Sequence, residues 1–312
     1  MVSSLYFRGH TLYLFTYNDL KTILLPSVIF AVFNAPVLCS GLEVTSGWLF
    51  RVTVKSRIWT WLNLLSFCLH NQRLASAISE DAVNKPWRLI PSRRFSQRNA
   101  LHLLLTTYPV TFTVSAFWGG LRESFVLMAL NYCSIELGGA DSNFLLRNFL
   151  NACGFVCYAA GALEVVTEAS IFPVPFGVGD SHGDYDGNPP LEPPTKQWLF
   201  LVGLIVISTI HAQDLRDRIG DSLRQRHTLP ILLGKGPACW TIIIPIAVWS
   251  LFGPRFWDVG IVGYASVCGV GLLFAVRTLI LRSAEDDRVS FRLWSLWMIA
   301  IYTLPLARHL EL

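Results

Sequence analysis

Apolar residues in this chain come in long runs separated by short polar intervals. The runs cover about 20–38, 58–78, 100–118, 125–137, 149–172, 198–210, 238–252, 259–281 and 291–306. Most approach the length of about 20 residues that a helix needs to cross a hydrocarbon layer. The pattern predicts an all-α polytopic membrane protein with about nine transmembrane helices. Pro26 and Pro36 fall inside the first run, as membrane helices tolerate. Residues 173–197 break the pattern: Gly, Pro and Asp dominate there, which predicts an external loop. Asp184-Tyr-Asp-Gly within it has the start of a calcium loop but lacks the remaining ligands. The whole of residues 1–312 reads as one transmembrane domain.

Composition strengthens the membrane reading. Hydrophobic residues make up 53% of the chain and charged residues 15%, against about 25% charged in ordinary soluble domains. Mean hydropathy is +0.46. A net charge of +4 without a basic tract gives no reason to expect nucleic acid, and nothing implies an obligatory protein partner. The seven cysteines lie mostly in apolar runs and form no CxxC pair or Cys/His cluster, so they read as small hydrophobes. The first run reads as a retained helix rather than a cleaved signal. With nine spans, the loops after even-numbered spans carry most of the Arg and Lys, including Lys85, Arg88, Arg147, Arg216, Arg226 and Lys235. That side is therefore expected to face the cytosol, in the endoplasmic reticulum or another internal membrane.

The polar positions that end two of the runs carry the chemistry. Asp214, Asp217 and Asp221 follow the sixth run at i, i+3 and i+7, which stacks three carboxylates along one helix face. Like charges at that spacing repel and call for neutralisation. Arg216, Arg218, Arg224 and Arg226 supply it on one reading, as a solvated helix end. On the other, the carboxylates hold Mg²⁺ and the arginines hold phosphate.

The second run ends in Asn71-Gln-Arg-Leu-Ala-Ser-Ala-Ile-Ser-Glu-Asp-Ala-Val-Asn-Lys-Pro-Trp-Arg88. If the helix is continuous, Gln72, Ser76, Glu80 and Asn84 form a ridge of oxygen-bearing side chains with Asp81 beside it. Pro86 should end the helix and leave Lys85 and Arg88 at its mouth. Both acidic stretches open on one side of the membrane. Interfacial salt bridges closing a bundle would explain them blandly. Intramembrane acids flanked by cations favour a cage for Mg²⁺ and a diphosphate. Tyr108, Phe112, Phe117, Trp118, Tyr132, Phe155, Tyr158 and Phe172 are candidates to line an apolar cavity below it, where aromatic faces would stabilise a cation.

These motifs resemble those of the UbiA superfamily of intramembrane prenyltransferases over roughly residues 15–310. Asn71, then Arg88 and Pro91-Ser92, is similar to the family's first motif. Asp214-x-x-Asp-x-x-x-Asp221 followed by Thr228-Leu-Pro-Ile-Leu-Leu-Gly234 is similar to its second. Aspartates usual in the first motif are replaced by Gln72, Ala75 and Ser79, and Glu80-Asp-x-x-Asn84 stands nearby instead. That variant resembles the fungal membrane-bound terpene cyclases of the superfamily, as do Gln213-Asp-x-Arg-Asp-x-x-Gly-Asp221 and Arg147-Asn-x-x-Asn-Ala-x-Gly154.

The resemblance implies a bundle of about nine helices around a central cavity in membrane lipid. It further implies a Mg²⁺-dependent class I cyclase that ionises an isoprenyl diphosphate, farnesyl diphosphate being preferred, to make a sesquiterpene of secondary metabolism. The metal ligands would be Glu80, Asp81, Asn84, Asp214, Asp217 and Asp221, with Asp81, Asp214 and Asp217 central to catalysis. Asn71, Gln72, Ser76, Lys85, Arg88, Tyr132, Arg226 and Lys235 would contact substrate. Prenyl transfer to an aromatic or other small acceptor is the alternative enzyme reading, and a transporter or lipid-binding protein the non-enzyme one.

Overall fold

A computed structural model describes residues 2–39, 42–171, 194–281 and 283–312, and every regular element among them is helical. The elements run α1 (Val2–Thr16), α2 (Leu25–Leu38), α3 (Ser46–Arg73), α4 (Ala75–Asn84), α5 (Gln97–Trp118), α6 (Leu121–Asn131), α7 (Gly139–Ser142) and α8 (Phe144–Thr167). After the undescribed stretch come α9 (Pro194–Thr209), α10 (Asp214–Leu223), α11 (Leu229–Leu232), α12 (Lys235–Trp257), α13 (Ile261–Ile280), α14 (Ala284–Tyr302) and α15 (Leu304–His309). Two π-helical turns, Leu20–Leu24 and Tyr132–Glu136, lead into α2 and out of α6.

Six of the expected runs lie in helices long and apolar enough to cross a membrane: Leu20–Leu38, Gln97–Trp118, Phe144–Thr167, Pro194–Leu223, Lys235–Trp257 and Ile261–Ile280. The other three fall on α3, α6 with its π turn, and α14, where charged or polar residues dilute the apolar runs. Most of the expected 173–197 loop, with Asp184 and Phe172, lies outside the described residues. Its last residues begin α9 at Pro194.

Tryptophan organises the interior. Trp59, Trp198, Trp294 and Trp297 are fully buried among α2, α3, α8, α9 and α12 to α14. Trp59 donates to Ser115 Oγ at 2.9 Å, and Trp297 donates to Ser250 Oγ at 2.9 Å, so these two indole N–H groups keep partners in an apolar setting, whereas those of Trp198 and Trp294 are buried without one. A Cβ on Gly161 would sit 2.2 Å from the Trp59 ring, so α8 lies directly on α3. Large apolar side chains such as Phe117, Ile261 and Ile280 point outward, as suits a lipid-facing surface. A second cluster packs Phe15 of α1 against Leu65, Leu69, Leu89, Ile90 and Leu104. It ties α1 and the 86–96 loop to α3 and α5.

Two local departures matter for the site. The helix expected to run through to Pro86 breaks at Leu74, whose ψ of 141° is extended. The Arg73 carbonyl freed by the break accepts from Gln97 Nε2 at 3.0 Å. Between α9 and α10 a 3₁₀ turn, Ile210–Gln213, carries buried His211. Asn148 donates to its Nδ1 (3.3 Å), and its Nε2 pairs with Thr241 Oγ1 (3.0 Å), which pins the start of α10 to α8 and α12.

Candidate active site: an arginine-lined cavity above an apolar pocket

The ends of α4 and α10 meet where a glycine allows it. A Cβ on Gly220 would lie 2.1 Å from Asn84 Nδ2, so only hydrogen fits between the helices. Asn84 Nδ2 donates to the Asp217 carbonyl at 3.3 Å, and Arg288 Nη2 donates to the Asn84 carbonyl at 3.3 Å. The two acidic stretches, far apart in sequence, thus face one cavity.

Each carboxylate there has a cation. Arg88 Nη1 donates to both oxygens of Asp81 at 2.9 and 2.8 Å, and its Nη2 lies 3.8 Å from Asp19. Arg147 donates to Asp214 Oδ1 through Nη2 (3.0 Å) and Nε (3.3 Å). Arg226 reaches Asp221 Oδ1 and Asp141 at 2.7 Å each, and Glu80 at 3.0 Å. Arg224 joins Glu80 (3.1 Å) to Asp141 (2.9 Å). Asp217 is held by Arg216 at 3.3 Å and by Lys85 at 3.5 Å, and the Arg216 guanidinium lies 4.7 Å from the centre of the Phe291 ring. Burial by itself would disfavour the charge on Arg88. The Asp81 and Asp19 carboxylates more than offset that and raise its pKa above the ordinary arginine value. Arg226 is raised in the same way, with Glu80 and Asp221 opposing the cost of burial.

Below the charged layer lies a small, mainly apolar pocket walled by Ile23, Phe67, Leu127, Leu130, Leu150, Phe155 and Tyr158. It shares Phe67, Ser134 and Asn151 with the cavity above, so the two adjoin across these side chains. Leu130 also borders a groove on the outer side, formed with Val126, Phe149, Val156, Phe200 and Leu204 between α6, α8 and α9.

A description of the UbiA prenyltransferase family matches residues 58–297, which include both acidic stretches. The chain belongs to this family. It is therefore a UbiA-family enzyme, set in a membrane by its apolar helices. It is similar over nearly its whole length to two terpene synthases. The fumagillin beta-trans-bergamotene synthase of Aspergillus fumigatus is 26% identical over 302 residues, covering 96% of this chain and 93% of that protein. The somaliensene A/B synthase of Streptomyces somaliensis is 28% identical over 318 residues, covering 96% and 92%. Among solved structures, a digeranylgeranylglyceryl phosphate synthase shares the fold, with a TM-score of 0.55, 15% identity and coverage of 95% and 97%.

This UbiA-family chain brings Asn71, Glu80, Lys85, Arg88, Asp217 and Arg226 to the cavity wall. Asp81, Asp214 and Asp221 stand behind the guanidiniums they hold and are fully buried. Four expected substrate contacts are directed elsewhere. Gln72 donates to the Phe15 carbonyl at 2.8 Å, because the break at Leu74 removes it from the face of α4. Ser76 is solvent-exposed, on the far side of that break. Lys235 pairs with buried Asp287 at 2.7 Å, linking α12 to α14. Tyr132 is 54% exposed. Among the expected aromatics, Phe155 and Tyr158 line the pocket, Phe112 stacks on Phe125 (4.3 Å), and Phe117 points outward. Asp19, Phe67, Asp141 and Arg147 join the site without having been chosen from sequence as ligands or contacts, and Arg216 and Arg224 reach it as two of the arginines that one reading gave to phosphate. Arg147 and Asn151, one helical turn apart in a noted motif, carried the one local signal.

The six expected metal ligands do not converge. Among the described residues no three acidic, His or Cys side chains form a metal cluster. The physical reason is that guanidiniums neutralise the carboxylates one by one. Asp214 Oδ2 and Asp221 Oδ2 nevertheless are buried with no hydrogen-bond partner. Unpaired carboxylate oxygens are the hard donors Mg²⁺ takes, so α10 fits the ion. Asp81, with both oxygens on Arg88, keeps none free.

Proposed function

We propose that this enzyme is a class I membrane terpene cyclase that ionises an isoprenyl diphosphate and folds the resulting allylic cation onto its own double bonds. The observation that carries the reading is an arginine-lined cavity that adjoins an apolar, aromatic-walled pocket, the two sharing Phe67, Ser134 and Asn151 as lining. Similarity to two terpene synthases over nearly the full chain favours cyclisation over transfer. Farnesyl diphosphate is the proposed substrate and a sesquiterpene the proposed product. The chain is proposed to act as one domain with nine crossings, its charged cavity facing the cytosol of the endoplasmic reticulum or another internal membrane.

Arg88, Arg147, Arg224, Arg226 and Lys85 hold the diphosphate oxygens. As C1–O breaks, the electron pair leaves with the diphosphate, and these donors meet the developing negative charge in a site already organised for it. Glu80, Asp214, Asp217 and Asp221 are the proposed holders of Mg²⁺, which when bound adds positive charge against the leaving group. Phe67, Phe155 and Tyr158 present π faces to the cation. The apolar wall keeps water from it and holds the chain bent for internal attack by an alkene, after which the cyclised cation loses a proton to the released diphosphate and leaves as a neutral hydrocarbon.

The reading is tested on membranes containing the protein, incubated with Mg²⁺ and farnesyl or geranylgeranyl diphosphate and no acceptor. Gas chromatography with mass detection should find a cyclic hydrocarbon that disappears with chelator and with Asp214→Ala. Asp214-dependent consumption of substrate only after an acceptor is added would move the enzyme to prenyl transfer.

A further inference from the structure

The cations of the central cavity each hold a carboxylate. Arg93, Arg94 and Arg98, in the loop after α4 and the first turn of α5, are different. All three are exposed, and among the described residues none of them pairs with an acidic side chain. None lines the central cavity, although Gln97, beside Arg98, donates to the Arg73 carbonyl and so fixes the patch at the same end of the bundle. An open recess lies there, lined by Arg93, Arg94, Ser96 and Asn99 together with the apolar Ile78 and Ile90.

Two local features of this patch oppose folding when it is bare. Arg93 has a φ of 59°, in the left-handed region that glycine occupies without cost and arginine does not. Its N–H donates to the Ile90 carbonyl at 2.9 Å, those of Arg94 and Phe95 donate to the Leu89 carbonyl at 2.9 and 3.1 Å, and the Phe95 ring packs edge-on against Phe15. The turn is therefore fixed rather than adaptable. Arg98 places a cation in the first turn of α5, the positive end of the helix dipole, and that turn contains no acidic residue. A bound anion offsets the charge at the helix end and gives Arg93 a reason to occupy a glycine position. Depth in the membrane says which anion. Gln97–Trp118 is one of the candidate membrane spans. Leu101 and Leu105, at i+3 and i+7 from Arg98, are exposed along the same face. The guanidiniums thus stand at headgroup level with apolar side chains directly beneath them.

We propose that Arg93, Arg94 and Arg98 bind the phosphate of an anionic glycerophospholipid whose acyl chains lie along Leu101 and Leu105. A choline headgroup would bring its own cation against the guanidiniums, so lipids with net negative charge are selected. The site is separate from the central cavity and holds whichever reaction the enzyme performs.

The test titrates acyl-labelled phosphatidic acid and acyl-labelled phosphatidylcholine into the detergent-solubilised full-length chain and follows fluorescence polarisation. Phosphatidic acid should bind saturably and more tightly, and lose about fivefold in affinity per guanidinium removed, the effect of one basic residue at an anionic surface. Arg94→Gln and Arg98→Gln remove two of them. Arg93→Gly removes the third while relaxing the left-handed turn, so its loss of lipid should come without a fall in the unfolding midpoint. Arg57→Gln, an exposed cation elsewhere on α3, should change nothing. Equal affinity of the wild type for the two lipids overturns the proposal, whatever the variants do. So does an unchanged preference in the triple variant, which would seat the lipid elsewhere. Displacement of the lipid by millimolar inorganic phosphate would make a free anion the ligand and overturns it as well.

Discussion

Arg147 grips Asp214 through two nitrogens while both side chains are removed from solvent. Truncating one partner of such a pair leaves an uncompensated buried charge, which costs about 3–5 kcal/mol. Arg147→Ala should therefore lower the unfolding midpoint of the detergent-solubilised protein sharply. Arg147→Lys should recover most of that loss but little product formation, because an ammonium cannot reproduce a planar fork. Equal unfolding midpoints for the wild type and Arg147→Ala would show that the pair contributes nothing. The residue scale is also where sequence reading stopped short. Arg147 meets Asp214 across 67 positions, and no local spacing announces such a partner. Gln72 erred in the opposite direction: its four-residue spacing to Ser76 looked like a helix ridge, but a one-residue break turns it toward Phe15.

Helices α4 and α10 are held at a separation set by Gly220. Exchanging glycine for alanine inside an exposed helix ordinarily stabilises it by about 1 kcal/mol. Here the added Cβ would meet Asn84 Nδ2, Cγ and Oδ1 at 2.1, 2.6 and 2.9 Å. Gly220→Ala should thus displace Asn84, break its bond to the Asp217 carbonyl, and reduce turnover while shifting the unfolding midpoint downward. Adding Asn84→Ala should restore the midpoint by removing the obstacle. Failure of that rescue would mean the contact does not set the spacing.

Apolar periodicity placed several of these elements within a few residues. The run expected at 259–281 is α13, Ile261–Ile280. The polar interval at Arg51, Lys55 and Arg57 concealed the true start of α3 at Ser46, because a helix that continues beyond the bilayer no longer needs apolar residues. Lys55 there pairs with Glu168 at 2.9 Å. The break at Leu74 had no Gly or Pro to mark it.

Across the molecule, the charged and apolar halves of the site were legible as classes of residue but not as neighbours. Sequence pointed to cations, carboxylates and aromatics. Their sorting into a layer above and a pocket below depends on contacts among the π turn before α2, α3, α6 and α8 that no linear pattern carries. The pocket's wall should govern which prenyl chain is accepted. Leu130→Ala removes bulk from it, and the ratio of geranylgeranyl to farnesyl diphosphate turnover should rise by at least about tenfold, the scale on which an apolar pocket discriminates chain size. An unchanged ratio would place the length limit elsewhere.

Because Leu130 borders both the inner pocket and the outer groove of α6, α8 and α9, a thin partition divides the pocket from the groove. On the proposed reaction, a hydrocarbon made on the inner side would have oil within a side chain's width, whereas the released diphosphate would have water above the arginines. The two halves of one substrate would then depart into different phases. Dilution into each makes recombination negligible, so the enzyme's position in the membrane would supply a direction that the chemistry alone does not.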